Sequence, residues 1–465
     1  MKLNLFRDYD IRGLAPSQLN KKSAEYIGLA FGNFLSEKQN SSKAVVVSRD
    51  HRQTGTEISK GLIKGLKNTR KNIIYIGLNP TPVFYYAICK GKFQGGCQVT
   101  ASHNPSEYNG IKLQMNKSFP VDAKNGIYKI RDKIKENNLK TSTTTTELKK
   151  KSYKDDYVDF IKSRCNLKRK LKIVIDTGNG VVGKIPEKIF KSLGCQVETI
   201  FAKPDDTFPN HIADPHKKET LKQLQEKVIQ KKADIGFAYD GDGDRLGAVD
   251  SLGRIIDEEQ LLMLLSEKSL NKKKGYVVYD IRVSKAVIRY AKEKGGKVLI
   301  SRAGHSFVLR KIIEKNAVFG GELSGHFYYP LQNYPYDDGI FTSIKIAEIV
   351  SNINQEEFIK KLDRLPRWFV SPDIEVKSTD HKKWKQISEL KDILKEKGYQ
   401  INKTDGLKVT FKNRSILIRA SNTGPSVKIL VQGKTKTDLL GIVDEFNPML
   451  KQVGLKIAKN KILTR

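Results

Sequence analysis

Leu171-Lys172-Ile173-Val174-Ile175-Asp176 is an apolar run that ends on a carboxylate, and its surroundings decide the fold. A second apolar run, Val197-Glu198-Thr199-Ile200, follows it after a polar turn and a helix-compatible stretch. Strand, turn, helix, strand is a βαβ unit, which implies parallel strands joined by a right-handed crossover. The succession recurs on both sides. Lys43-Ala44-Val45-Val46-Val47-Ser48-Arg49-Asp50 leads through a helical stretch, Glu57 to Lys67, to Ile73-Ile74-Tyr75-Ile76. Gly275-Tyr276-Val277-Val278-Tyr279-Asp280 leads to Val298-Leu299-Ile300. Three such units predict three similar mixed α/β domains.

After about Pro366 the pattern changes. Ile374-Glu375-Val376, Leu407 to Phe411, Ser415 to Arg419 and Val427 to Val431 read as strands, with a helix from Trp384 to Lys397 among them. This predicts a smaller C-terminal α+β domain. The stretch Thr141-Ser142-Thr143-Thr144-Thr145-Thr146, ahead of Lys149-Lys150-Lys151, reads as an exposed loop or linker near the first boundary. The predicted domains are 1–150, 151–252, 253–366 and 367–465, within the three or four that 465 residues suggest at roughly 150 residues per domain.

The net charge of +34 admits nucleic acid, acidic lipid or phosphorylated metabolites as partners. The lysines form only short runs, at Lys149–Lys151, Lys168–Lys170 and Lys272–Lys274, and scatter over helix-like stretches. They read as a solvated surface, and the chain has no RRM-like, KH-like or zinc-finger pattern, so nucleic acid is not the expected partner. Cys89, Cys97, Cys165 and Cys195 form no CxxC pair. Reduced thiols in a cytoplasm are expected rather than a disulfide framework or a zinc site. Met1 to Asp8 has no sustained apolar region, and no run approaches the ~20 apolar residues of a membrane span, so neither a signal peptide nor a membrane partner is expected.

Four stretches carry chemistry. Asp240-Gly241-Asp242-Gly243-Asp244-Arg245 follows a strand, Ile235 to Tyr239, and alternates carboxylates with glycines, an arrangement that folds around one hard cation. An EF-hand needs Gly at its sixth position and Glu at its twelfth, where this chain has Arg245 and Ser251. Thr100-Ala101-Ser102-His103-Asn104-Pro105, followed by Lys112, exposes a serine on a turn, with His103 and Lys112 able to supply proton transfer or positive charge. Gly320-Gly321-Glu322-Leu323-Ser324-Gly325-His326 displays groups that suit sugar hydroxyls, which both donate and accept. Arg419-Ala420-Ser421-Asn422-Thr423-Gly424-Pro425 lies between two strands and forms a plausible phosphate nest, or simply a polar turn.

A fifth stretch competes with these. Gly178-Asn179-Gly180-Val181-Val182-Gly183 matches GxGxxG after a strand, with Glu198 about twenty residues on, as in a dinucleotide-binding fingerprint. A P-loop fails, because Ile185 stands where a hydroxyl must meet magnesium. The NAD-dependent dehydrogenase reading survives on spacing; the alternative, a tight strand-to-helix turn, is preferred.

Together the motifs resemble the α-D-phosphohexomutase family, in its phosphomannomutase/phosphoglucomutase branch. The resemblance runs in order along nearly the whole chain, from Phe6-Arg7-Asp8-Tyr9-Asp10-Ile11-Arg12-Gly13 through the four loops. It implies four domains around a central cleft, each giving one motif. It implies interconversion of hexose 6-phosphate and hexose 1-phosphate, of mannose or glucose, through a phosphoserine and a bound hexose 1,6-bisphosphate. By the resemblance Ser102 is the phosphoserine, and Asp240, Asp242 and Asp244 hold Mg2+ together with its phosphate. Arg245 pairs with that phosphate. Tyr9, Arg12 and Lys112 lie near the transfer site, and His103 sits beside the nucleophile. His326 or Lys112 carries protons. Glu322 and Ser324 grip the sugar, while Arg419, Ser421, Asn422 and Thr423 hold the other phosphate. Arg282 and His305 line the third-domain side of the cleft. The chain departs from the family pattern at Gly424, where Glu is usual, and at Ile212-Ala213. The N-terminal motif leans away from the alternative, a phosphoglucosamine mutase.

Overall fold

The computed structural model describes residues 3–38, 43–144, 146–330, 334–379, 381–421 and 424–462. It contains four sheets in chain order. All three expected βαβ units form. Val45–Arg49 pairs in parallel with Ile73–Leu78, Lys172–Asp176 with Gln196–Ile200, and Tyr276–Asp280 with Lys297–Ser301. The first strand of each unit lies inside its sheet and is buried on both faces over most of its length, which is why it reads as continuously apolar rather than alternating. Each of these sheets also carries antiparallel strands at one edge, such as Ile11–Leu14 on Tyr108–Met115 and Leu246–Asp250 on Ile235–Tyr239. The fourth sheet is antiparallel, built on Arg414–Ala420 and Ser426–Gly433. Helices Lys382–Glu396 and Lys436–Gln452 pack on it.

The linker expectation holds only in part. Thr141, Thr143 and Thr144 are exposed, but Thr146 is buried; Thr145 lies outside the described residues. Leu148–Lys150 is an edge strand, parallel to Ile73–Tyr75. Its three side chains are all exposed, so it gives no apolar alternation to read, and its lysines suit an edge that must not recruit another strand.

Helices Lys21–Lys38 and Gly55–Lys67 touch backbone to backbone. A Cβ on Gly65 would stand 2.0 Å from the Glu25 carbonyl oxygen, and one on Gly61 would stand 2.2 Å from that of Lys21. A larger core runs between domains, joining Phe84 and Tyr85 of Thr81–Lys90, Tyr157 and Phe160 of Lys154–Lys162, and Ile340 and Ile344 of Gly339–Ser351. The fourth domain has its own core. It meets the third through Leu417 and Leu430, which pack on Ile281 and Leu323.

One pattern positions the site. Ser102 follows the carboxyl end of Gly95–Val99, Asp240 that of Ile235–Tyr239, and Glu322 that of Phe319–Gly321. Open α/β sheets bind ligands at that end of their strands. The interdomain core turns the three ends towards one cleft.

Helix Gly339–Ser351 is buried along its whole length and is capped by Asp338, which accepts from the Phe341 amide at 2.8 Å and from the Tyr157 hydroxyl at 2.8 and 2.9 Å. Burial pushes the Asp338 carboxyl up to about 7. The folded state therefore prefers it protonated. Its contribution to stability is complete below about pH 4, the unfolded value, and is lost as pH rises through about 7. Asp338→Asn is expected to melt closer to wild type at pH 5 and to gain relative to it by pH 8, read from thermal melts across that range.

Candidate active site

The serine loop is held in a strained shape. Ser102 has φ +52°, a left-handed conformation costly for a residue with a Cβ. Arg52, 1% exposed, keeps it there. Its guanidinium donates to the carbonyls of Ser102 (3.1 Å), Asn104 (2.5 Å), Pro105 (2.7 Å) and Tyr108 (2.8 Å). The Ser102 amide donates to Thr100 Oγ1 at 2.9 Å. Ser102 Oγ then donates to Asp240 Oδ2 at 2.5 Å and lies 3.1 Å from His103 Nδ1.

The carboxylate loop meets it directly. A Cβ on Gly241 would stand 2.4 Å from the Ser102 carbonyl oxygen, so the close approach requires glycine. Asp240, Asp242 and Asp244 are buried and bring one ligand atom each to within 4.8 Å of one another. Asp240 Oδ1 accepts from the amides of Gly243 and Arg245 at 3.0 and 3.1 Å. Asp242 Oδ2 accepts from Thr81 Oγ1 (2.7 Å), Thr100 Oγ1 (3.1 Å) and Lys112 Nζ (2.9 Å), and Lys112 also reaches Asp244 Oδ2 at 2.5 Å. Burial, then Asp244 and Asp242, push Asp240 well above the carboxylate range. Asp244 moves the other way: burial opposes ionisation, but Lys112 and His326 outweigh it. Burial would likewise depress Lys112, yet the same two carboxylates hold its proton firmly. Asp242 Oδ1 is buried without a hydrogen bond among the described residues. Three converging carboxylates, with Oδ1 of Asp242 and of Asp244 both lacking a hydrogen bond among the described residues, fit a divalent oxygen-seeking cation.

Around this centre Arg12 donates to Asn104 Oδ1 (2.6 Å) and Asp10 Oδ2 (2.7 Å). Arg245 Nε lies 3.3 Å from His326 Nε2 and 4.0 Å from Asp240 Oδ2, and its Nη1 lies 3.9 Å from Asp214 Oδ1. His326 Nε2 also lies 3.3 Å from Asp244 Oδ1, which raises its affinity for a proton against the effect of burial. Burial, Arg245 and Arg12 push His103 the other way, well below the ordinary value.

On the third-domain side, Glu322 accepts from the Gly304 amide (2.9 Å) and the Tyr328 hydroxyl (2.7 Å). Ser324 Oγ is 3.1 Å from His326 Nδ1 and 3.3 Å from Arg282 Nη2. His305 is edge-on to Tyr9, ring centroids 5.4 Å apart, and its Nε2 is buried without a hydrogen bond among the described residues. On the fourth, Arg419 stands 3.6 Å from Asp405 and 3.9 Å from Asp373. Lys383 Nζ staples the loop by donating to the carbonyls of Ser421 and Gly424 at 2.9 and 3.0 Å. Asn422 and Thr423 lie outside the described residues.

One cleft of about 610 Å3 is lined by Tyr9, Arg12, Ser102, His103, Lys112, Arg245, Arg282, His305, Glu322, Ser324, His326, Arg419 and Ser421, and by Asp244 of the three aspartates. Asp240 and Asp242 lie behind it, under the serine. The sequence reading missed Arg52 and Thr81, which carry no motif and act through backbone or through Asp242, and it gave no role to Thr100, the first residue of the serine motif. It also missed Lys428, a cleft residue. The only signal for Lys428 was its place opposite Arg419 in the last hairpin. Gly178–Gly183 is absorbed by the fold. Its turn packs on the carboxylate loop, with the Val181 amide donating to the Gly241 carbonyl at 3.0 Å, and a Cβ on Gly180 would stand 2.9 Å from that same oxygen. Where a dinucleotide phosphate would sit, this chain places its own loop.

Comparison with known proteins adds four successive matches to the phosphoglucomutase/phosphomannomutase family. These are its alpha/beta/alpha domains I, II and III at residues 3–139, 155–253 and 257–366, and its C-terminal domain at 374–448. A phosphomannomutase/phosphoglucomutase of Pseudomonas syringae is 34% identical, covering 97% of this chain and 96% of that one. A phosphoglucomutase of Neisseria gonorrhoeae is 31% identical, covering 96% and 97%. The crystal structure of a phosphoglucomutase/phosphomannomutase family protein from Burkholderia thailandensis superposes with a TM-score of 0.89 at 33% identity, covering 97% and 98%.

Arg52→Leu removes the side-chain donor of four loop carbonyls, of which that of Pro105 keeps the Tyr108 amide at 3.1 Å. At about 1–3 kcal/mol for a buried group left unpaired, it is expected to lower unfolding stability by at least about 2 kcal/mol in urea titrations, with loss of reactivity at Ser102.

Proposed function

The chain belongs to the phosphoglucomutase/phosphomannomutase family of α-D-phosphohexomutases, and on that premise we propose that it interconverts the 6- and 1-phosphates of mannose and glucose through a phosphorylated Ser102. One observation carries the reading. Ser102 Oγ, on a strained turn, stands 2.5 Å from the first of three buried aspartates, in a cleft that extends to Arg419 of the fourth domain.

Phosphoryl transfer asks for positioning and charge neutralisation more than covalent help. Asp240, Asp242 and Asp244 would hold Mg2+ together with the serine phosphate. Bound there, the ion neutralises charge on the transferring group. Arg245 and Lys112 add fixed positive charge. Lys112 serves charge rather than proton transfer, since two carboxylates hold its proton. His326, between Asp244 and Arg245, is placed to take a proton from the attacking sugar hydroxyl and to return one to the departing group. His103 is held neutral beside Ser102 Oγ.

The phosphoserine gives its phosphate to the free hydroxyl of the sugar phosphate. The hexose 1,6-bisphosphate turns over in the cleft, and its other phosphate returns to Ser102. Arg419 and Ser421, with Asn422 and Thr423, grip whichever phosphate is not reacting. Glu322 and Ser324 must accept the sugar in two orientations, so they read hydroxyls common to both. Closure of the fourth domain over the cleft excludes water, which would otherwise hydrolyse the phosphoserine. No helix among the described residues is long and apolar enough to cross a membrane, and the four cysteines are free, which supports a cytoplasmic enzyme.

A coupled assay with mannose 1-phosphate and glucose 1-phosphate, supplied with magnesium and a trace of hexose 1,6-bisphosphate, tests this. Both sugars are expected to turn over. Ser102→Ala is expected to lose at least about a thousandfold in kcat, the scale on which removal of a nucleophile is felt. Turnover of glucosamine phosphate alone would overturn the sugar assignment, and an unaffected Ser102→Ala would overturn the mechanism. EDTA is expected to abolish the rate and added magnesium to restore it. Asp242→Asn, which keeps the size of the side chain but removes its charge, is expected to raise the magnesium needed for half-maximal rate at least about tenfold.

A further inference from the structure

The fourth domain grips a single turn of the third. Lys408 Nζ donates to the carbonyls of Ile281 at 2.5 Å and Val283 at 3.1 Å, and Gln432 Nε2 donates to the carbonyl between them, that of Arg282, at 2.6 Å. Strand register puts these two side chains on one face of the fourth sheet. Lys408 is opposite Leu417, Leu417 is opposite Leu430, and Gln432 lies two residues beyond. Leu417 and Leu430 pack on Ile281 and Leu323, so the same face touches the turn and the loop Glu322–Ser324. Ser415 Oγ donates to Gln432 Oε1 at 2.8 Å, which aims the amide nitrogen at the Arg282 carbonyl.

Lys408 is costly where it stands. It forms no ion pair among the described residues, and its ammonium is satisfied by backbone carbonyls. Burial pulls it down to about 8, although Asp280 and Glu259 oppose this, and Lys285 adds to the depression. The leucines beside it already supply apolar packing, so contact alone does not call for a cation.

The other side of the turn leads to the substrate cleft. Asp280 accepts from the Arg282 amide (2.6 Å), from Arg282 Nη2 (2.6 Å) and from the Leu323 amide (3.0 Å). Arg282 Nη2 stands 3.3 Å from Ser324 Oγ and 3.5 Å from Glu322 Oε2. A chain of polar contacts therefore runs from Lys408 and Gln432 through the turn to the two residues assigned to the sugar, ending in a hydrogen bond to Ser324 and an ion pair with Glu322.

We propose that Lys408 and Gln432 are positioning residues that couple seating of the fourth domain to the setting of Glu322 and Ser324, acting through the turn Ile281–Val283 and the side chains of Asp280 and Arg282. The inference rests on the mutase reading above. The fourth domain holds one phosphate while Glu322 and Ser324 hold the sugar, so a substrate that fills both sites draws the loop into shape as the domain closes.

The test is a double-mutant cycle on kcat/KM for glucose 1-phosphate, with wild type, Lys408→Met, Arg282→Ala and the double variant. Lys408→Met is expected to lower kcat/KM about tenfold, mainly through KM, and Lys408→Arg, which keeps the donors, to recover most of it. In the Arg282→Ala background the same Lys408→Met change is expected to cost less than about twofold, because the path is already cut. Equal losses in both backgrounds overturn the proposal, as does a Lys408→Met protein with a lowered melting temperature and unchanged kinetics. Should Lys408→Met fail to fold, Gln432→Leu enters the same cycle with Lys408 intact. An inactive wild type overturns the mutase reading and the proposal with it; an active wild type with additive losses overturns the proposal alone.

Discussion

Everything in the cleft depends on how three buried carboxylates tolerate one another. Two like charges about 4 Å apart repel by roughly 4 kcal/mol at an effective dielectric constant of about 20, and burial adds a desolvation cost for each. Lys112 offsets part of this by pairing with Asp242 and Asp244 together. The serine hydroxyl and two backbone amides take the oxygens of Asp240. The compensation is incomplete, since an oxygen of Asp242 has no hydrogen bond among the described residues and Asp240 is driven towards its protonated form. The three carboxylates could hold a metal ion, whose charge would complete the compensation.

The same constraint explains why the first two domains are locked together. Lys112, Thr81 and Thr100 come from the first sheet and its neighbouring helix, while the aspartates come from the second. The Thr81 amide also donates to the Asp242 carbonyl at 2.9 Å, and Gly241 lets the two loops touch. The serine loop and the carboxylate loop are thus joined across a domain boundary. The fourth domain, by contrast, has its own core and, among the described residues, meets the third through a small apolar contact and a few hydrogen bonds. The cleft is thus tightly tied together around the serine and bounded by a lighter contact at the fourth domain.

The sequence by itself determined the βαβ units, because their central strands, buried on both faces, must be continuously apolar, and it singled out the four loops by their carboxylates, hydroxyls and glycines, although the last of them read equally as a polar turn. It did not show Leu148–Lys150 as a strand, since an edge held only by backbone pairing leaves no side-chain pattern. GxGxxG remained open for a related reason: spacing specifies a tight turn but not what fills the space beside it. Only the tertiary structure decided that this space holds the carboxylate loop. Tertiary structure alone likewise placed Arg52 over four carbonyls of the serine loop, clamped Lys112 between two aspartates, and set Lys408 and Gln432 on the turn of Arg282. Each of these contacts joins residues far apart in the chain through a single polar group, and such a group leaves no periodicity in a sequence because its partner is fixed only when the domains pack.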